Sequence, residues 1–265
     1  MIEETIISKA IIESYLNELL NSVESDVIIG GAGPSGLCAG YYLAKNGYKT
    51  LLFDRALKLG GGMPGGGMMF NKIVVQDAAR KILDEFGIRY TEYGTGYYVA
   101  NSLEATAALT DKAIKAGAKI FNLITIEDVI VRKDVVAGVV INWSSAEMAK
   151  LHIDPISFKS KTVIDATGHP SEIAHIVEQK SGGALLTPSG KIEGEKSMWA
   201  DVAEHFTIEN TKEAYPGLFV CGMAATAVFG GPRMGPIFGG MLLSGKKVAE
   251  LVMAKIRTCV NLNKY

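Results

Sequence analysis

Asp26-Val27-Ile28-Ile29-Gly30-Gly31-Ala32-Gly33-Pro34-Ser35-Gly36 decides the fold. A short run of acidic and apolar residues with strand character feeds into Gly31-x-Gly33-x-x-Gly36, and Leu37, Ala39, Tyr41, Leu43 and Ala44 continue in a helical pattern. Lys49-Thr50-Leu51-Leu52-Phe53 follows as a second strand and ends on Asp54-Arg55. Glycines at this spacing permit a tight turn and let a pyrophosphate approach the backbone at a helix N-terminus, where unpaired N–H groups favour negative charge. An acid about 20 residues further on, here Asp54, is placed to accept hydrogen bonds from a ribose diol. A lone GxGxxG is weak. Strand, glycine turn, helix, strand and acid in register predict a dinucleotide-binding βαβ unit, against the competing reading of a tight turn in an unrelated α/β protein.

The length of 265 residues suits a single α/β domain with a sizeable insertion. A formal charge of −1 and 48% hydrophobic residues point to no nucleic-acid partner and no charged membrane surface. No apolar run reaches the length of a membrane span, and Met1-Ile2-Glu3-Glu4 lacks a basic signal-peptide start. Cys38, Cys221 and Cys259 show no CxxC spacing and read as reduced thiols, with Cys38 packed in the first helix of the βαβ unit. The expectation is a cytoplasmic protein.

Residues 1–22 carry Ile6, Ile7, Ala10, Ile11, Tyr15, Leu16 and Leu19 at helical spacing, an amphipathic helix that packs on its own domain or on a neighbouring subunit. Gly60-Gly61-Gly62-Met63-Pro64-Gly65-Gly66-Gly67 is too glycine-rich for regular structure; it reads as backbone lying against a bound cofactor, or else as a floppy loop. Helices are expected over 75–87, ended by Gly87, and from Asn101 to the region of Gly117. A β-rich insertion over about 119–160 follows, with strands at 119–126, 128–133 and 135–143. Buried strands at 161–168 and 218–223 and a last helix from near Gly239 complete the chain. This order fits a Rossmann-like fold of the two-dinucleotide-binding-motif, glutathione-reductase-like topology.

The chain has four histidines. His152 and Asp154 lie in Leu151-His152-Ile153-Asp154-Pro155, and His169 in Thr167-Gly168-His169-Pro170. Asp154 and His169 each precede a proline, which disfavours the α conformation and presents extended side chains at turns. A carboxylate and one or two imidazoles on loop ends make a candidate divalent-metal site suited to Fe(II), with Zn(II) and Mn(II) as competitors. No HxH or HExxH pattern supports it, so a turn aspartate beside a helix cap is the plainer alternative. His175 and His205 read as surface residues. Arg233 sits in Gly230-Gly231-Pro232-Arg233-Met234-Gly235-Pro236, a stiff loop from which its planar fork can clamp a carboxylate or phosphate, or simply form a salt bridge.

Together these stretches resemble the ADP-thiazole synthase family of thiamin biosynthesis, in its archaeal, sulfide-dependent branch. The likeness covers nearly the whole chain and is carried by Gly31 to Gly36, Asp54-Arg55, Gly60 to Gly67, His152-Ile153-Asp154-Pro155, Ala166-Thr167-Gly168-His169 and Arg233-Met234-Gly235-Pro236-Ile237-Phe238-Gly239. The resemblance implies that NAD is a substrate, that nicotinamide is released, and that the exposed ADP-ribose skeleton is condensed with glycine and sulfide into an ADP-thiazole. It implies that Gly31, Gly33, Ser35, Gly36, Asp54, Arg55, Gly62, Ile126 and Met223 hold the nucleotide, with His152, Ile153 and Asp154 beside it. Asp154 and His169 match the Fe(II) ligands, and Arg233 the residue that holds the glycine carboxylate. The 152–154 loop reaches a neighbouring subunit's site in the family, which implies a homo-oligomer, an octamer. Eukaryotic members carry a sulfur-donating cysteine where this chain has His152, so the resemblance implies multi-turnover use of free sulfide, with His152 available for acid–base catalysis. Competing readings are a flavin-dependent oxidoreductase of the same fold, weakened by Met223 where such enzymes carry an acid, ribose-1,5-bisphosphate isomerase, and a non-catalytic NAD-binding module.

Overall fold

In the computed structural model, which describes residues 1–262, α1 (Glu4–Ser22) leads into β1 (Glu24–Gly30), α2 (Pro34–Lys45) and β2 (Thr50–Asp54). This is the βαβ unit expected from the glycine motif. Next come β3 (Lys72–Gln76), α3 (Asp77–Phe86), β4 (Tyr90–Glu92), β5 (Tyr97–Asn101), α4 (Ser102–Lys115) and β6 (Lys119–Asn122). A meander of β7 (Ile124–Arg132) and β8 (Val135–Trp143) passes through α5 (Ser144–Met148) into β9 (Ile156–Asp165). The chain closes with α6 (Glu172–Lys180), α7 (Ala200–Glu209), β10 (Lys212–Tyr215), β11 (Leu218–Val220), α8 (Met223–Phe229) and α9 (Gly239–Leu262).

The central sheet runs β11-β9-β1-β2-β6 with every neighbouring pair parallel, and β10 adds an antiparallel edge. A parallel sheet is covered on both faces, so its strands are apolar throughout rather than alternating; Val27, Ile28 and Ile29 are all fully buried. Val27, Ile29 and Leu52 pack with Leu37 and Leu43 of α2, Leu109 of α4 and Leu242 and Val248 of α9. On the opposite face Ile28, Phe53 and Val163 pack with Ile173 of α6, Val228 of α8 and Phe158.

β9 joins the meander to the parallel strands within one eight-stranded sheet. Its first residues pair antiparallel with β8, and from Lys159 onward it pairs parallel with β1. The expected strand over 119–126 is two strands, because Leu123 takes a left-handed conformation (φ 57°) that redirects the chain. Lys119–Asn122 is therefore the outer strand of the parallel sheet, paired with β2, and the β-rich insertion starts at Ile124 rather than at Lys119. The helix expected from 75 begins at Asp77, since Lys72–Gln76 is extended and pairs with β5 in a separate antiparallel sheet, β3-β5-β4. The helix opened by Asn101 is present, with the Asn101 side chain accepting from Leu103 N and Glu104 N.

Candidate functional site

The carboxyl ends of β1, β2 and β9 open into a cavity of about 1000 Å³, lined there by Gly30, Asp54 and Ala166. It lies where the strand order reverses, with β2 and β9 on opposite sides of β1, the position at which doubly wound sheets bind ligands.

The glycine turn of the βαβ unit forms part of the cavity wall. Gly31, Gly33, Pro34 and Ser35 line it, and Gly33 stands at the N-cap of α2 with Pro34 opening the helix. A Cβ built on Gly33 would meet nothing within 4 Å, so the start of α2 borders open space, and unpaired amides at a helix N-terminus favour an anion. Gly36 does not line the cavity. It is buried beneath the turn, where a side chain would collide with the Gly31 carbonyl, so it shapes the loop through packing. The Asp54 carboxylate is held in place by Ala32 N (2.7 Å) and Ala56 N (2.8 Å). Each oxygen keeps acceptor capacity for a ribose hydroxyl. Gly62, Ile126 and Met223 also line the cavity. Arg55 is exposed but paired: its Nη1 lies 2.5 Å from Glu172 Oε1, and burial pushes the Glu172 carboxyl above the usual range against the pull of that guanidinium.

His169 and Arg233 line the same cavity. β9 delivers His169 through a turn organised by Asp165, whose fully buried carboxylate accepts from Thr167 N (2.9 Å), Thr167 Oγ1 (2.7 Å) and Ala174 N (2.9 Å). Those bonds clamp the end of the strand to the first turns of α6. The Arg233 loop is stitched on both sides. Phe238 N donates to Val74 O (2.8 Å) and Val74 N to Pro236 O (3.3 Å), while Trp199 N donates to Arg233 O (3.1 Å). Between the two groups stands Glu195, whose Oε1 lies 2.6 Å from His169 Nδ1 and whose Oε2 lies 3.9 Å from Arg233 Nε. Sequence reasoning missed Glu195 and Glu172. Glu195 sits in the aperiodic polar stretch Gly194-Glu195-Lys196, and only spatial proximity to His169 singles it out.

His152, Ile153 and Asp154 are exposed on the segment between α5 and β9 and do not line the cavity of their own chain; Asn142 Nδ2 donates to Ile153 O (3.0 Å). His175 and His205 are also exposed. Among the described residues, no group of three or more His, Cys, Asp or Glu side chains is arranged to hold a metal ion. His169 nevertheless fits a ligand's role, because its Nδ1 is engaged by a carboxylate and Nε2 is left for coordination. The chain thus provides one oriented imidazole at the cavity and a carboxylate, Asp154, on an outward-facing loop. No cysteine lines the cavity. Cys38 and Cys221 are buried, burial pushing the Cys221 thiol up to about 12 and raising Cys38 as well, and Cys259 lies exposed on α9.

Comparisons with known proteins agree with this architecture. A protein of Methanothermobacter thermautotrophicus named thiamine thiazole synthase is 61% identical over 251 residues, covering 95% of this chain and 97% of the relative. One of the same name from Desulfosudis oleivorans is 54% identical, covering 96% of this chain and 99% of the relative. The crystal structure of Thermovibrio ammonificans THI4 superposes with a TM-score of 0.96 at 49% identity, over 97% of this chain and 100% of that one. Residues 8–238 match the Thi4 family, and the chain belongs to that family.

Proposed function

We propose that this chain is a sulfide-dependent, multi-turnover synthase that converts NAD and glycine into an ADP-thiazole with release of nicotinamide. Family membership makes it an enzyme of thiamine thiazole biosynthesis. The finer reading rests on one observation: Gly31, Ser35 and Asp54 line the same cavity as His169 and Arg233, and none of the cysteines lines it.

The residues divide the work by position. The amides at the start of α2 hold the pyrophosphate, and Asp54 holds the adenosine ribose, fixing the far half of NAD so that the nicotinamide-bearing ribose extends toward His169. Arg233, 56% exposed at the cavity and only loosely tied to Glu195, is free to take the glycine carboxylate with its fork. The donor chemistry of His169 and Asp154 suits Fe(II), which when bound supplies Lewis acidity to developing negative charge and an open position for sulfide. His152, on the same exposed loop as Asp154, has an imidazole able to move protons near neutral pH. Sulfur from the chain itself is disfavoured, because the two thiols nearest the nucleotide loop are buried and held protonated.

The test is anaerobic incubation of the full chain with NAD, glycine, sulfide and Fe(II), followed by mass spectrometry of small molecules and intact protein. The expected result is an adenylated thiazole in molar excess over enzyme, free nicotinamide, and an unchanged protein mass. A product that stops at one equivalent with loss of protein sulfur would overturn the sulfide reading. Bound NAD without nicotinamide release would return the chain to a binding module.

A further inference from the structure

Glu195 bonds His169 and lies beside Arg233, and the backbone around it explains why it stays there. Gly194 N donates to Ala227 O (3.0 Å), Lys196 N to Gly231 O (2.9 Å) and Arg233 N to Lys196 O (3.2 Å). Lys196 and Pro232 form a β-bridge. The segment is thus zipped onto the loop that carries Arg233, and the Glu195 side chain, only 19% exposed, is aimed at His169 rather than at solvent. Its Oε1 lies 2.6 Å from His169 Nδ1.

A carboxylate oxygen only accepts, so in the neutral imidazole the proton sits on Nδ1 and the lone pair on Nε2. Without that partner the ring has no bond to choose between tautomers or between rotations about its side-chain axis. A negative charge behind the ring also makes Nε2 a stronger donor. We propose that Glu195 is a positioning residue that fixes His169 as an Nε2 ligand for a divalent metal at this cavity. The inference rests on the assignment of His169 to the metal in the proposed function. Glu195 itself is neither metal ligand nor acid–base group: its carboxylate acts through His169.

The test is anaerobic titration of the full-length protein with Co(II) alone, read by visible absorption, so that no turnover is required. The wild-type chain should show saturable ligand-field bands that His169→Ala loses. Glu195→Ala should weaken Co(II) binding about 10- to 100-fold and shift the bands, the magnitude seen when a carboxylate behind a metal-bound histidine is removed. Glu195→Gln, which keeps the shape and removes the charge, should fall between Glu195→Ala and wild type, and it decides the matter should the alanine variant fail to fold. Retained ADP binding at the glycine turn reports an intact fold. Wild-type Co(II) affinity and spectrum in a folded Glu195→Gln and Glu195→Ala would overturn the inference alone. Absence of Co(II) bands in the wild-type chain would overturn the metal assignment and this inference with it.

Discussion

Single positions in the nucleotide loop carry different kinds of constraint although all read alike as glycine. Gly33 borders open space at the start of α2, so a side chain there competes with a ligand and not with the protein. Gly36 is the reverse, since its missing Cβ is where the Gly31 carbonyl lies, with the Ala166 methyl 3.3 Å away. Gly33→Ala should therefore leave the melting temperature near wild type and weaken NAD or ADP binding. Gly36→Ala should destabilise the fold by about 3 kcal/mol, because neither the turn nor the helix can yield without moving the strand behind it. Thermal melts and ADP titrations on the two variants separate these cases. Equal loss of stability in both would show that the loop is rigid throughout and that the open space at Gly33 carries no functional meaning.

At the scale of elements, α7 and α9 meet through a buried acid. Glu204 of α7 is 3% exposed, its Oε2 accepts from Gly240 N in the first turn of α9 (2.7 Å), and its Oε1 is buried without a partner among the described residues. Burial pushes the carboxyl up to about 7 against the pull of the Gly240 bond and of nearby His205. An unfolded chain releases this proton at the ordinary value of 4.5. The folded state therefore binds more protons between those values, and stability is fully present below the unfolded value and is lost as pH rises through the folded one. Glu204→Gln mimics the protonated acid at every pH. It should match wild type near pH 4 and exceed it near pH 8 by roughly 3 kcal/mol, with the difference growing between those limits. Parallel melting curves for the two proteins across that range would remove the argument. Elements of this kind also mark the limit of what the sequence discloses. The βαβ unit was legible because Gly31, Gly33, Gly36 and Asp54 each serve a local need at a fixed spacing. So was α4, whose start is written in the Asn101 cap. The small sheet β3-β5-β4 was not, because Ile73 and Val75 alternate over only five residues and owe their extended state to β5 and to the bridge between Val74 and Ile237. Lys119–Asn122 looked continuous with the meander because the reversal at Leu123 uses no glycine.

For the whole molecule, the candidate site divides into residues that share one cavity and residues that stand outside it. Asp54, His169 and Arg233 were singled out in sequence and line one cavity, whereas His152 and Asp154 face outward beside exposed Met148, Leu151 and Ile156. α1 is similar: Tyr15 packs edge-on to Phe121 at 5.6 Å, yet Ile6, Ile7, Ile11, Ile12, Leu16 and Leu20 are exposed. Apolar surface on this scale is costly to leave in water and marks contact faces, as the homo-oligomer with shared sites that the family resemblance implies would require. If His169 of one subunit works with Asp154 of its neighbour, His169→Ala and Asp154→Ala should each be inactive alone. Co-expressed in equal amounts, they should form hybrids in which about a quarter of the sites pair an intact His169 with an intact Asp154, as random mixing across a two-subunit site requires. Activity of that order in doubly tagged hybrids, with light scattering confirming the assembly, would establish the shared site. If both residues serve the same chain, every hybrid site lacks one of them and no activity returns, and the exposed 152–154 loop must then fold back over its own cavity when ligands bind.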